Sequence, residues 1–229
     1  MRILRGLCSG LLAAACSGET PFTPNYTPSP VFSNPTAITN AHLPLSGLTQ
    51  DILVGTEGGD SAKVVRTRMP GTLAFTFGGQ QVQTVMVVDS AFSAGQLVEV
   101  ATDYFAQSDN GDVYYFGEDV DLYTNGQVTS HEGAWRFGVN TNTLGILLPA
   151  SPKVGDKFRS EDVPGVTQEN DEVVSVSETV TVPAGTYQNC VKIREMIPGE
   201  ADEFKLYAPG TGVIQEIPAD GQVALKSHT

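Results

Sequence analysis

An alternation of apolar and polar residues, interrupted at short intervals by turn signals, constrains the fold more than any other feature. Leu73, Phe75 and Phe77 are separated by single small or polar residues, and Gly78-Gly79 then supplies a two-residue turn. Residues 82–88 resume the alternation as a partner strand. Because successive side chains of a strand point to opposite faces, this period of two predicts a β-hairpin with one buried face.

The same pattern recurs through the rest of the chain. Further turn signals of the kind that join hairpins are Asp109-Asn110-Gly111, Thr124-Asn125-Gly126, Pro183-Ala184-Gly185 and Pro209-Gly210. Helical periodicity is weak throughout, and the best place for a short helix is near Glu161–Glu172. The sequence therefore predicts one all-β domain over residues 46–229, an antiparallel barrel, half-barrel or sandwich built from hairpins.

The first sixteen residues, MRILRGLCSGLLAAAC, have the pattern of an export signal. Arg2 and Arg5 form a positive head, Leu7 to Ala15 form an apolar stretch too short to span a bilayer, and Cys16 follows directly. The segment resembles a bacterial lipoprotein signal, which implies removal of residues 1–15 and lipid attachment to Cys16. The alternative is an ordinary secretory signal cut near Ala15, which would give a soluble secreted protein.

Residues 16–45 are expected to connect this anchor to the domain. They contain six prolines among Ser, Thr and Asn and few large apolar side chains, which predicts a disordered, semi-rigid tether. The expected location is the bacterial cell envelope, with the membrane contacted through the lipid. Ser17, where Asp would signal retention in the inner membrane of a double-membrane bacterium, favours the outer membrane by analogy.

The charge of the chain limits its binding partners, and its cysteine content limits disulfide formation. The chain has 13 basic and 26 acidic residues and a net charge of −13, and removal of Arg2 and Arg5 would make it more negative. Such a surface repels nucleic acid, which is therefore excluded as a partner. Cys190 would be the one thiol of the folded region and is expected to be buried, unless Cys16 survives cleavage and pairs with it.

Six blocks of sequence resemble an uncharacterised family of exported bacterial β-rich (lipo)proteins. These blocks are DYFAQ (103–107), VYYFGED (113–119), HEGAW (131–135), GILLP (145–149), TVPAGTY (181–187) and YAPGTGV (207–213). The last two also resemble a hairpin and a terminal strand of envelope proteins with lipocalin-like or half-barrel sheets. The resemblance implies fold and location, and it carries no assigned reaction.

An acidic cluster offers the most specific chemistry in the sequence. It consists of Asp109, Asp112, Glu118, Asp119 and Asp121, around the turn at Gly111 and after the strand that ends near Gly117. Carboxylate oxygens on tight loops are the ligands that Ca²⁺ prefers, although the EF-hand spacing is absent. The cluster is therefore a candidate Ca²⁺ site, with a solvated acidic loop as the alternative. No other cofactor is expected.

Aromatic residues on neighbouring predicted hairpins form a second candidate site. Tyr114, Phe116, Trp135 and Phe137 would pair across strands and pack in the core, or they would line a cleft for a hydrophobic ligand if one face stays open.

Motifs of common catalytic sites are absent from the sequence: it has no G-x-S-x-G elbow, no phosphate-binding glycine loop and no H-E-x-x-H. We therefore expect a non-enzymatic envelope protein whose β domain binds a ligand or a protein partner. The alternatives are a structural or surface-assembly protein with an acidic Ca²⁺ loop, and an exported hydrolase that uses paired carboxylates.

Overall fold

The alternating segments form fourteen antiparallel strands of a single sheet. The structure is a computed structural model that describes residues 21–229. The strands are β1 (Gln50–Glu57), β2 (Asp60–Phe77), β3 (Gln80–Ser93), β4 (Gln96–Gln107), β5 (Val113–Thr124), β6 (Gln127–Ser130), β7 (Trp135–Arg136), β8 (Gly145–Leu148), β9 (Lys157–Val163), β10 (Thr167–Val182), β11 (Gly185–Met196), β12 (Glu203–Ala208), β13 (Gly212–Ile217) and β14 (Gly221–His228).

Most strands pair with the strand that follows them in sequence. The order across the sheet is β6-β5-β4-β3-β2-β1-β14-β13-β12-β11-β10-β9, and β7 and β8 also pair with β5. The first and last strands meet in the middle, where Asp51 of β1 lies opposite His228 of β14. Every ladder between named strands is antiparallel, so the predicted all-β antiparallel class is confirmed.

The sheet curls until its two ends approach each other. A Cβ atom on Gly145 of β8 would lie 1.9 Å from the carbonyl oxygen of Ser160 in β9, so the backbones of these strands are in direct contact there. No ladder joins the two strands in the described part of the chain, which leaves the sheet open. We call this architecture a half-barrel and its concave side the inner face.

The predicted hairpins are present, and the segment that offered the best place for a short helix is not helical. Phe75 lies opposite Val82 across the Gly78-Gly79 turn, as the alternation indicated. Residues 161–172 lie instead in β9 and β10, where Glu161 is opposite Glu169. The alternation in this region is carried by buried carboxylates, which a reading of apolar periodicity counts as exposed.

Residues 21–45, which we name the N-terminal strap, correct the expectation of a disordered tether. The strap lies against the sheet, with Ile38, Leu43 and Leu45 buried in the core. The Oδ1 atom of Asn25 accepts a hydrogen bond of 2.7 Å from the backbone of Lys157. The anchor cysteine and residues 1–20 lie outside the described residues.

A few apolar side chains and many paired polar groups hold this proline-rich segment in place. The amide oxygen of Gln107 accepts hydrogen bonds of 2.8 Å from the backbone nitrogens of both Thr39 and Asn40. The side chain of Asn40 in turn donates to the carbonyl oxygens of Gly111 and Pro149. Since proline already restricts the unfolded chain, ordering such a segment costs less conformational entropy.

The strap covers the outer, convex face of the sheet around β5. The ring of Phe32 packs edge-on against Phe77, Tyr114 and Phe116, with centroids 5.6 to 5.7 Å apart. Consequently, residues 113–118 of β5 are buried on both faces. No helix long and apolar enough to cross a membrane occurs among residues 21–229.

Candidate functional site

Ionisable side chains form a continuous layer across the inner face of the half-barrel. Ten carboxylates and two bases, all buried, come from ten strands. We name this set the carboxylate layer; it consists of Asp51, Arg66, Asp89, Glu99, Asp103, Glu118, Glu161, Glu169, Asp171, Glu195, Lys205 and Glu216. Charged side chains are almost never fully buried unless they are paired, so the layer is the most unusual feature of the molecule.

Arg66 of β2 forms ion pairs with two acids of the layer. Its guanidinium donates to both carboxylate oxygens of Asp89 on the neighbouring strand and to Glu216 of β13, at Nη2–O distances of 2.8 and 3.3 Å. Burial alone would lower the pKa of Arg66, but the charges of Asp89 and Glu216 raise it. The guanidinium therefore remains charged and balances these two acids.

Lys205 of β12 forms an ion pair with another acid of the layer. Its Nζ lies 2.8 Å from Oε1 of Glu195. Oxygen atoms of Glu169, Asp171 and Glu195 all lie within 4.8 Å of one another. Ser160 donates its backbone NH to Asp171 and its hydroxyl to Glu169, at 3.0 and 2.8 Å.

The remaining part of the layer joins β4, β5 and β9. Asp103 and Glu118 are direct cross-strand neighbours, and the hydroxyl of Tyr115 donates to Oδ1 of Asp103 at 2.5 Å. Glu161 accepts a 3.2 Å hydrogen bond from the indole nitrogen of Trp135. This region combines three buried acids with two aromatic donors, which orient Asp103 and Glu161.

Burial makes several of these acids hold protons more strongly than usual. Desolvation, followed by the charge of Asp89, raises the pKa of Asp103 to about 7. Burial raises the pKa of Glu195 to about 7, although Lys205 opposes the shift. The pKa values of Glu118 and Asp171 are raised well above the ordinary range by burial and then by neighbouring carboxylates. The layer therefore favours any bound positive charge.

A β-bulge turns Glu118 inward. Tyr115 lies opposite Phe105, but the next paired residue is Gly117, opposite Tyr104, so one extra residue, Phe116, enters the strand. The bulge needs glycine because a Cβ on Gly117 would lie 2.3 Å from the carbonyl oxygen of Trp135. The insertion reverses the alternation, which places Glu118 on the inner face and Asp119 on the outer face.

The predicted acidic cluster is consequently dispersed. Glu118 belongs to the carboxylate layer, and the other four acids have separate partners. Asp109 accepts from Ser33, Asp112 accepts from Tyr26 and from the backbone of Ala150, Asp119 pairs with Arg136 and Tyr104, and Asp121 pairs with His131. The structure thus does not bring the five acids together around one ion.

The predicted aromatic site is divided between the two faces of the sheet. Tyr114, Phe116 and Phe137 pack on the outer face in the cluster that contains Phe32. Trp135 lies on the inner face, with its ring 5.2 Å from that of Tyr115. The four side chains therefore do not line one cleft.

A cavity of about 20 Å³ adjoins the carboxylate layer. It is lined by Leu43 and Leu45 of the strap and by Arg66, Lys205 and Tyr207, among others. This volume accommodates about one water molecule and is far below the roughly 300 Å³ of small organic ligand pockets. The strap therefore reaches the inner face as well as the outer one.

The carboxylate layer was not predicted, although the sequence contains a signal for it. In β3, Val85, Val87, Asp89 and Ala91 occupy alternate positions, so the acid continues an inward-facing row. An acid that replaces an apolar residue within such a row was the available indication.

The fold and this layer together define an open half-barrel with an acidic interior. In comparisons with protein families, curated proteins and solved structures, the chain matched none of them.

Proposed function

We propose that this protein is an exported cell-envelope protein that binds a small positively charged ligand inside its half-barrel. The carboxylate layer is the observation that carries the proposal. Within residues 21–229, ten buried acids of this layer accompany two buried bases, so these residues give the inner face an excess of negative charge when the acids are ionised. Burying such charge without compensation is costly, and a bound cation supplies the compensation.

Binding explains the layer better than catalysis does. The acids of the layer are at most slightly exposed, with 7% for Glu216 as the highest value. A substrate would need access to such groups and room for its leaving group, whereas a small ion or ammonium group only needs to replace protons or water. We therefore retain the expectation of a non-enzymatic binding protein, but its ligand would bind at the acidic inner face instead of in an apolar cleft.

The envelope location rests on the sequence of the first sixteen residues. The positive head, short apolar stretch and Cys16 support export and lipid attachment. We infer that the mature protein begins at Cys16 and is held at a membrane by its lipid. A structural or surface-assembly role that uses the same bound cation is compatible with this location.

Mass spectrometry of the protein purified from its own membranes tests both the lipid anchor and the bound cation. Denaturing intact-mass measurement is expected to show loss of residues 1–15 and added acyl mass. Native mass spectrometry is expected to show a retained cationic adduct, which Asp171→Asn weakens and the exposed Asp220→Asn leaves intact. An unmodified N-terminus would contradict the anchor, and a protein that is always free of adduct would contradict the binding function.

A further inference from the structure

We propose that two copies of this chain pair through an exposed edge of β2, residues 72–77, and so form a symmetric dimer. We call this segment the free edge. It belongs to the hairpin that turns at Gly78-Gly79 and packs on the outer face, where Phe75 contacts Phe116. The dimer is therefore independent of the carboxylate layer on the inner face.

The side of β2 that faces β1 loses its partner before the strand ends. β1 pairs with residues 60–67 of β2, and one further bond joins the backbone NH of Arg68 to the carbonyl oxygen of Thr49. β2 continues to Phe77, with β3 on its other side. No strand within residues 21–229 pairs with the β1 side of β2 beyond Arg68, so its backbone groups are available to another chain.

The geometry of the turn identifies the available backbone groups. With two residues in the turn, Phe77 and Gln80 form a hydrogen-bonded pair. Such pairs alternate along an antiparallel ladder, so every second residue of β2, counted back from Phe77, directs its NH and carbonyl groups toward β3. The intervening residues have exposed side chains and direct these groups outward: Thr72, Ala74 and Thr76.

The free edge lacks the features that usually protect the edge of a sheet. Natural edges are kept short or charged; here the outermost strand β6 has four residues, and β9 at the other end has charged side chains such as Lys157 and Arg159. By contrast, residues 69–88 contain no acidic or basic side chain, although the net charge of the chain is −13. Pro70 lies in the bulge that precedes the free edge, outside it. Two acidic copies can therefore approach here with little repulsion.

The sequence of the free edge is complementary to itself. In an antiparallel pair with a two-fold axis at Ala74, this residue lies opposite Ala74 of the second copy. Thr72 then lies opposite Thr76, and Leu73 lies opposite Phe75. These pairs join small, β-branched and apolar side chains without like charges, and the outward groups supply about six backbone hydrogen bonds. A second copy of this chain is therefore the occupant that the free edge fits.

Cysteine cross-linking in the full mature protein tests both the pairing and its register. Hydrogen-bonded partners have Cα atoms about 5.5 Å apart, within disulfide range, so a mild oxidant should link Ala74→Cys into a dimer. Thr72→Cys should stay unlinked, because the two copies of this residue would be roughly 14 Å apart. Ala219→Cys, exposed in the turn after β13, is the control for random collision. The wild type, whose Cys190 is buried, gives the baseline for native thiols.

A charge at the two-fold position provides a second test that needs no disulfide. Native mass spectrometry of the wild type should show a dimer. Ala74→Lys would place two like charges directly opposite each other, and we expect the dissociation constant of the dimer to rise at least about tenfold. The matched variant Ala219→Lys should leave it unchanged, because that residue is exposed in a turn far along the chain from the free edge.

Four results would overturn the inference. They are a monomeric wild type, an Ala74→Cys variant that forms no more dimer than Ala219→Cys, efficient linking of Thr72→Cys to itself, and a dimer that Ala74→Lys leaves intact. Linking of Ala74→Cys to a different protein would exclude a second copy as the occupant. None of these results bears on the bound cation, so the proposed function would stand or fail separately.

Discussion

The two faces of β4 and β5 solve the problem of burial in opposite ways. On the outer face, Phe116 packs between aromatic rings at centroid distances of 5.3 to 5.8 Å and has no charge to neutralise. On the inner face, Asp103 and Glu118 are equally buried but carry ionisable groups. The aromatic packing of the outer face therefore stabilises the fold at any pH, whereas the contribution of the inner face depends on protons and cations.

The largest expected loss of stability comes from a substitution in the aromatic packing of the outer face. Phe116→Ala removes the ring that joins Phe32, Phe75 and Phe137, and we expect a loss of about 3–5 kcal/mol in the free energy of unfolding. Chemical denaturation should give the same loss at pH 5 and at pH 8, because no titratable group is involved. A loss that changes strongly with pH would contradict the separation of the two faces.

A slightly smaller effect is expected on the inner face, and it should depend on pH. Lys205→Met leaves Glu195 without its base, which should cost about 3 kcal/mol at pH 8. At pH 5 the cost should be much smaller, because Glu195, whose pKa is about 7 even beside Lys205, then takes up a proton. Denaturation at both pH values measures the difference, and the exposed Lys226→Met is the control.

The wild-type pH profile sharpens the comparison. In the folded protein the pKa of Asp103 is about 7, above that of the unfolded chain, so folding binds a proton more tightly. This contribution to stability is complete below about pH 4 and is lost as pH rises through 7, at up to roughly 1.4 kcal/mol per pH unit. With a chelator present, thermal unfolding should shift to lower temperature between pH 5 and pH 8. Asp103→Asn should flatten the profile, and an unchanged slope would contradict the assignment.

The smallest effect concerns the strap on the outer face. Tyr26 donates a 2.7 Å hydrogen bond to Asp112, and Tyr26→Phe should reduce the free energy of unfolding by about 1 kcal/mol. Urea denaturation measures the change, with Tyr123→Phe, a tyrosine of β5 outside the strap, as the control. Equal stability of both variants would show that this contact does not hold the strap.

The sequence predicts the strands and turns of this fold but not the acidic layer of its inner face. Strands and turns came from local signals, and the partners Phe75 and Val82 are separated by a single tight turn. The carboxylate layer arises from cross-strand contacts such as that between Arg66 and Glu216, which are distant in sequence and do not appear in any single segment. The bulge at Gly117 then exchanges the faces that Glu118 and Asp119 would otherwise occupy, and a regular alternation cannot predict this exchange.

The strap was missed for a related reason. Its proline content suggested disorder, whereas its stability depends on receptors elsewhere in the chain, such as the side chain of Gln107 and the rings around Phe32. Composition describes what a segment lacks by itself, and it gives no information about complementary groups that the folded domain presents to it.

The attachment of the strap also sets how freely the domain can move at a membrane. Described contacts begin at residue 21 and are firm by Asn25, which bonds to Gly155 and Lys157. Only five peptide steps separate Cys16 from Pro21, so they span at most roughly 18 Å. A lipid on Cys16 would therefore hold the domain close to the membrane. The side of the domain that contains β9 would lie near the headgroups in a restricted orientation, and the opposite side would face away from the membrane.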